Sequence, residues 1–191
     1  MGAMTNGGNG MTTDTGGPDV AGARSAVVGD YDERWPRDFA TVRTHLWPAV
    51  ESFAVRVEHV GSTAVPGLAA KPVIDVDLVV PDAETVPRAI AALESLGHQH
   101  LGDQGIPGRE AFCSVPGLPE HHLYVVVRDS PAHRDHVDLR DYLRTHPEQA
   151  RRYAAEKRRR AHLLATDREA YVTGKAWLVR ELLAAARSTP G

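Results

Sequence analysis

The stretch Val60-Gly61-Ser62, followed after twelve residues by Asp75-Val76-Asp77, decides how this chain is read. Two strand signals enclose it. Upstream, Val55-Arg56-Val57-Glu58-His59-Val60 alternates between apolar and polar residues. Downstream, Val73 to Val80 is apolar apart from its two aspartates, and Pro81-Asp82 stops it. The Gly and Pro content of Gly61 to Gly67 makes the intervening segment a loop. Residues two apart on a strand share a face, so Asp75 and Asp77 project together while Ile74, Val76, Leu78 and Val80 pack the other side. Two adjacent carboxylates repel each other unless a cation sits between them. Aspartate oxygens are what Mg²⁺ takes, with waters and substrate phosphates completing its shell. A Gly-Ser turn offers backbone N–H groups and a hydroxyl to phosphate oxygens. The residues therefore predict a metal-plus-triphosphate site, with Asp75 and Asp77 as metal ligands. The spacing Gly61…Gly67…Lys71, followed by Pro72, is not that of a P-loop.

Working outward, Trp35, Phe39, Val42 and Leu46 recur at helical spacing, with Pro36 in the first turn. A second helix is expected from Glu84 to Leu96, with Gly97 as its C-cap. His100 to Gly108 is glycine-rich and reads as a mobile loop. Arg109 to Val115 and His122 to Arg128 read as strands joined by the turn Pro116 to Pro119. From His133 onward only helices are expected: one from Pro147 to about Leu164, and a last one starting at the capping-box spacing of Thr166 to Glu169. The order helix, strand, strand, helix, strand, strand, helices gives an α+β fold, a small mixed sheet flanked by helices with a C-terminal helical part. Residues 1–24, rich in Gly, Thr, Asn and Asp without apolar period, are expected to be a disordered tail before a domain spanning 25–191.

The chain has 191 residues, 42 % of them hydrophobic and 25 % charged, in the ordinary range for a folded domain. Its 22 basic and 25 acidic residues give a net charge of −3, which argues against a broadly basic nucleic-acid or membrane-surface binder. One cysteine, Cys113, excludes an internal disulfide and a cysteine-based zinc site; it reads as a small strand hydrophobe. No apolar run reaches the ~20 residues of a membrane span, and nothing reads as a signal peptide, so a soluble, cytoplasmic protein is expected.

The block from Glu58-His59-Val60-Gly61-Ser62 through Ala70-Lys71-Pro72-Val73-Ile74-Asp75 resembles the hallmark of the GrpB-like family. So do Tyr31-Asp32 with Trp35-Pro36, His122-Leu123-Tyr124-Val125, Arg140 to Arg144, Tyr153 with Lys157, and Tyr171 with Lys175. The resemblance runs from about Val27 to Leu183. It implies a nucleotidyltransferase-like fold in which Asp75 and Asp77 hold catalytic metal and Ser62 contacts phosphate. In that superfamily a third acid on a neighbouring strand completes the set. The strand from His122 is where it is sought, yet the face shared by His122, Tyr124 and Val126 carries none, which leaves His122 as the third catalytic candidate. GrpB-like domains are also found fused to a coenzyme A biosynthetic kinase, which points toward nucleotides.

Around this core, Gly61, Ser62, Lys71 and Arg109 are the candidate phosphate contacts, Arg109 because a guanidinium grips phosphate or carboxylate bidentately. His59, Tyr124 and Arg140 are candidates for the substrate pocket, Arg140 also for a structural ion pair with Asp141. Lys157 to Arg160 reads as a solvated helix face, and Tyr153, Tyr171 and Trp177 as helical core. The leading functional expectation is a Mg²⁺-dependent enzyme that transfers a nucleotidyl group from a nucleoside triphosphate to a small-molecule acceptor. The alternatives are a nucleotide- or metabolite-binding module without transfer, and other chemistry on the same scaffold.

Overall fold

The computed structural model describes residues 27–188, with Arg168 described by its backbone only. The expected tail over residues 1–24 lies outside them. Helix α1, Trp35–Val50, buries Trp35, Val42, Leu46 and Val50 along one stripe. Strand β1, Arg56–Val60, pairs antiparallel with β2, Ile74–Val80. Helix α2, Val86–Ser95, follows a 3₁₀ turn capped by Asp82, whose Oδ1 accepts the Thr85 N–H at 2.9 Å. Strands β3, Arg109–Phe112, and β4, His121–Val127, are antiparallel to each other, while β4 runs parallel to β2. The sheet order is β1-β2-β4-β3. Helices α3, Pro131–Thr145, α4, Pro147–Arg160, and α5, Arg168–Ser188, complete the chain. The fold is the expected α+β one, a mixed sheet flanked by helices with a C-terminal helical part.

β2 is central and buried at all seven positions, which suits an apolar run and makes its two aspartates costly to place there. Ile74, Val76, Leu78 and Val80 enter a core with Val42, Leu46, Leu93, Leu123 and Val125, so this face of the sheet is covered by α1 and α2. The opposite face carries the aspartates and is covered by α3. A second core of Val65, Leu68, Leu143, Tyr153, Leu178 and Leu182 fastens the loop after β1 to the C-terminal helices.

Five local expectations need correction. The segment from His100 does not begin as a free loop: Leu101 N–H donates to Ala111 O at 2.8 Å, Ala111 N–H to Gly102 O at 2.9 Å, and Cys113 N–H to Gln99 O at 3.0 Å. β3 is correspondingly shorter on the β4 side, ending at Phe112. The helix from Pro147 is α-helical only to Arg160 and tightens to a 3₁₀ turn over Ala161–Ala165. The last helix is capped one residue later than expected, by Asp167, whose Oδ1 accepts the Ala170 N–H at 2.9 Å. Trp177 is not core; it is 44 % exposed, with the Arg152 guanidinium 5.5 Å over its ring. Among the described residues no helix is long and apolar enough to cross a membrane.

Candidate functional site

The sheet register builds a row of acids. Asp77 stands opposite Glu58 on β1 and Tyr124 on β4, and Asp75 stands opposite Val60 and His122. Glu58, Asp75 and Asp77 therefore share one face, so the acid beside the aspartates stands on β1, and none stands on β4, where a third was sought. Each acid has a basic partner. His122 Nδ1 donates to Asp75 Oδ1 at 3.0 Å, and His136 Nδ1 lies 3.0 and 2.8 Å from the two oxygens of Asp77. Asp129 N–H donates to His133 Nδ1, which leaves the His133 proton on Nε2, and this donates to Glu58 Oε2 at 2.9 Å. His133, His136 and Arg140 lie three and four residues apart, one stripe of α3 facing the row. Burial alone pulls the His136 pKa down, but the Asp77 carboxylate beside it overrides that and raises it above the ordinary histidine value. Burial works against the Glu58 carboxylate too, yet His133, Arg56 and Arg140 hold its pKa down to about 2.

Beside this row opens a cleft of about 790 Å³, mouth included, between the turn after β1 and helices α3, α4 and α5. The turn is made by Gly61, whose φ of +69° suits glycine alone and whose missing Cβ lets Asp75 Oδ2 come close. Ser62 follows, and Lys157 Nζ donates to its Oγ at 2.8 Å. Lys157 and Lys175 are both buried, each seated over the tyrosine one helical turn earlier: Lys157 4.6 Å from the Tyr153 ring and Lys175 4.7 Å from Tyr171. Lys71 and Arg140 add two more cations to the walls, and Arg140 Nη1 donates to His59 O at 3.1 Å while its other nitrogens clasp Asp141. The cleft thus presents four basic side chains to whatever enters it, although the chain as a whole is acidic.

Of the residues singled out from sequence, Gly61, Ser62, Lys71, Asp75, His122 and Arg140 line this cleft together. Asp77 lies behind them, fully buried against His136. His59 does not reach the cleft. Strand alternation turns it to the α1 side, where its ring stacks on Phe39 at 4.8 Å and its Nε2 meets Thr63 Oγ1 at 3.0 Å. Burial pushes its pKa down to about 4. Tyr124 and Arg109 also stand outside the cleft lining. The buried Arg109 guanidinium lies 4.4 Å over the Tyr124 ring, on the β3 side of the sheet, too deep to grip a ligand in the cleft.

Four residues of the site escaped the sequence reading as site residues: Glu58, His136, Lys157 and Lys175. For the lysines a signal existed, since Tyr-x-x-x-Lys occurs on two successive helices with the lysine on the tyrosine's face. For His136 the signal was the stripe it makes with His133 and Arg140.

Aspartate oxygens on one strand face are suitable donors for Mg²⁺. Here a donor nitrogen already lies against each aspartate, Nδ1 of His122 on Asp75 and Nδ1 of His136 on Asp77, so both carboxylates are held as acceptors. Among the described residues no group of three or more His, Cys, Asp or Glu side chains is set to hold a metal ion alone. A Mg²⁺ ion on Asp75 and Asp77 would need oxygens from substrate and water to complete its shell.

Comparison with known proteins gives the chain its relatives. The model of the family described as GrpB protein matches residues 25–185. The chain is 39 % identical over 158 residues to the UPF0157 protein PA4798 of Pseudomonas aeruginosa, covering 80 % of this chain and 64 % of that one. It is 32 % identical over 145 residues to the UPF0157 protein YqkA of Bacillus subtilis, covering 76 % and 42 % respectively. The chain thus spans less than two thirds of the length of these two relatives. The crystal structure of conserved protein GrpB from Enterococcus faecalis superimposes with a TM-score of 0.74 at 28 % identity, over 84 % of this chain and 96 % of that one. With the strand pairing, the Gly-Ser turn and the aspartate strand on which its hallmark residues lie, the chain belongs to the GrpB family.

Proposed function

We propose that the cleft binds a nucleoside triphosphate with Mg²⁺ and that the protein transfers its nucleotidyl group to a small-molecule acceptor. The observation that carries this reading is the ring of Lys71, Arg140, Lys157 and Lys175 around the Gly61-Ser62 turn, beside a strand face with two aspartates. Four cations suit three phosphates, and the buried ones are the stronger contacts because little water screens them. Ser62 Oγ, held by Lys157, and the amides after Gly61 would orient the outer phosphates. Asp75 and Asp77 would hold the ion, which when bound supplies charge neutralisation at the reacting phosphate. His122, in contact with Asp75 and lining the cleft, would face the acceptor. The ligand is a nucleotide or other small molecule; nucleic acid and membrane are not the partners this enclosed cleft suits.

A second reading has its own support: the cleft binds a nucleotide or metabolite without transfer, since both aspartates already have imidazole partners. Calorimetric titration with ATP, CTP, GTP and UTP, with and without Mg²⁺, separates them. Mg²⁺-strengthened binding that Asp75→Asn weakens, together with pyrophosphate release, supports transfer. Binding that is indifferent to both supports the module, and no binding of any nucleotide removes transfer and leaves only a metabolite for the module.

A further inference from the structure

On the α1–α2 side of the sheet, away from the cleft, three histidines from three elements meet. His45 lies on α1, His98 just after α2, and His121 is the first residue of β4. The His45 and His98 rings are 6.1 Å apart and the His98 and His121 rings 5.5 Å, both edge-on. His98 Nδ1–H donates to Cys113 O at 2.9 Å and His121 Nδ1–H to Pro119 O at 2.7 Å. These bonds fix the tautomer: Nε2 of each is the bare, unprotonated nitrogen. The Nε2 atoms of His45, His98 and His121 are all buried with no hydrogen-bond partner. Buried polar atoms are rarely left so, and three in contact call for a reason.

We propose that His45, His98 and His121 form an acid-operated latch, which locks α1, the segment after α2 and the start of β4 together when neutral and opens that corner when protonated. A proton on Nε2 of His98 or His121 would bury a positive charge beside other imidazoles, with no carboxylate to offset it. The titratable groups acting on His98 and His121 are His45, each other and, for His121, His122; no carboxylate is among them. Burial accordingly lowers both pKa values, that of His121 to about 4. A base whose folded pKa lies below its ordinary value of 6.5 stabilises the fold fully above pH 6.5. That stability fades as pH falls toward 4, because the unfolded chain takes up the proton first. The latch reaches the cleft through one peptide bond, since His121 precedes His122, which holds Asp75.

Asn in place of His98 or His121 keeps a donor near the Nδ1 position but cannot titrate, so the double variant His98→Asn, His121→Asn tests the latch. Thermal unfolding of the wild type should lose about 5 °C more between pH 7 and pH 5 than that of the variant. Parallel pH profiles would overturn the proposal. Should the variant fail to fold at pH 7, amide hydrogen exchange of the wild type, corrected for the intrinsic effect of pH, decides alone. Exchange rising first over residues 96–102 and 119–123 at pH 5 supports the latch, and a uniform rise or none overturns it.

Discussion

Gly61 turns the chain with φ +69° and ψ −166°, and a Cβ built there would lie 2.1 Å from Asp75 Oδ2. The glycine is thus required twice, by its backbone and by the carboxylate beside it. Gly61→Ala should lose about 1–3 kcal/mol from backbone strain alone, more with the clash, read as a lower urea midpoint. An unchanged midpoint would contradict both requirements, and a loss confined to the strain would mean that Asp75 swings away without cost. Lys157 is the residue whose removal speaks most directly to ligand binding. It holds Ser62 Oγ from a buried seat over Tyr153. Lys157→Met should weaken tripolyphosphate binding tenfold or more by calorimetry, in keeping with the ~1.5–3 kcal/mol of a charge-assisted hydrogen bond. Equal affinity would exclude Lys157 from the anion site.

Among the elements, α3 and β2 explain each other. A fully buried strand with two aspartates is tolerable because α3 brings His136 onto Asp77 and His133 onto Glu58, while β4 brings His122 onto Asp75. Glu58 makes the acid dependence explicit. Its pKa of about 2 lies below the ordinary 4.5, so its stabilisation is present above pH 4.5 and is lost as pH falls toward 2. Glu58→Gln should therefore lower stability at pH 7 and flatten the unfolding profile between pH 4.5 and 2. An unaltered slope would deny Glu58 that role. The elements themselves were largely legible, because each has a period or a stop signal in the chain. Strand pairing was not. Nothing in local sequence says that β2 lies between β1 and β4, so an acid beside the aspartates was sought on β4, while Glu58 stands beside them on β1, one residue from His59. Adjacency to Gly61-Ser62 is what suggested His59 for the site, although the alternation of Val57 and His59 against Glu58 puts it on the other face.

At the scale of the molecule, the cleft joins two parts. The sheet supplies the Gly-Ser turn, Asp75 and His122, and the C-terminal helices supply Arg140, Lys157 and Lys175. That division is why the basic wall was invisible in a net charge of −3. Lys157 stands first in a run of four basic residues, and helical periodicity alone turns it inward while Arg158 and Arg159 stay exposed. A ligand bridging both parts should stabilise the whole fold. Near a hundred times its dissociation constant it adds about 2.7 kcal/mol, several degrees in the thermal midpoint. The most direct test of the account is calorimetric titration of the four nucleoside triphosphates, with and without Mg²⁺, into the wild type and into the double variant Asp75→Asn, Asp77→Asn. At least one nucleotide should bind the wild type, more tightly with Mg²⁺, and the variant should lose the Mg²⁺ enhancement. No binding by any nucleotide, or an enhancement unchanged in the variant, would contradict it.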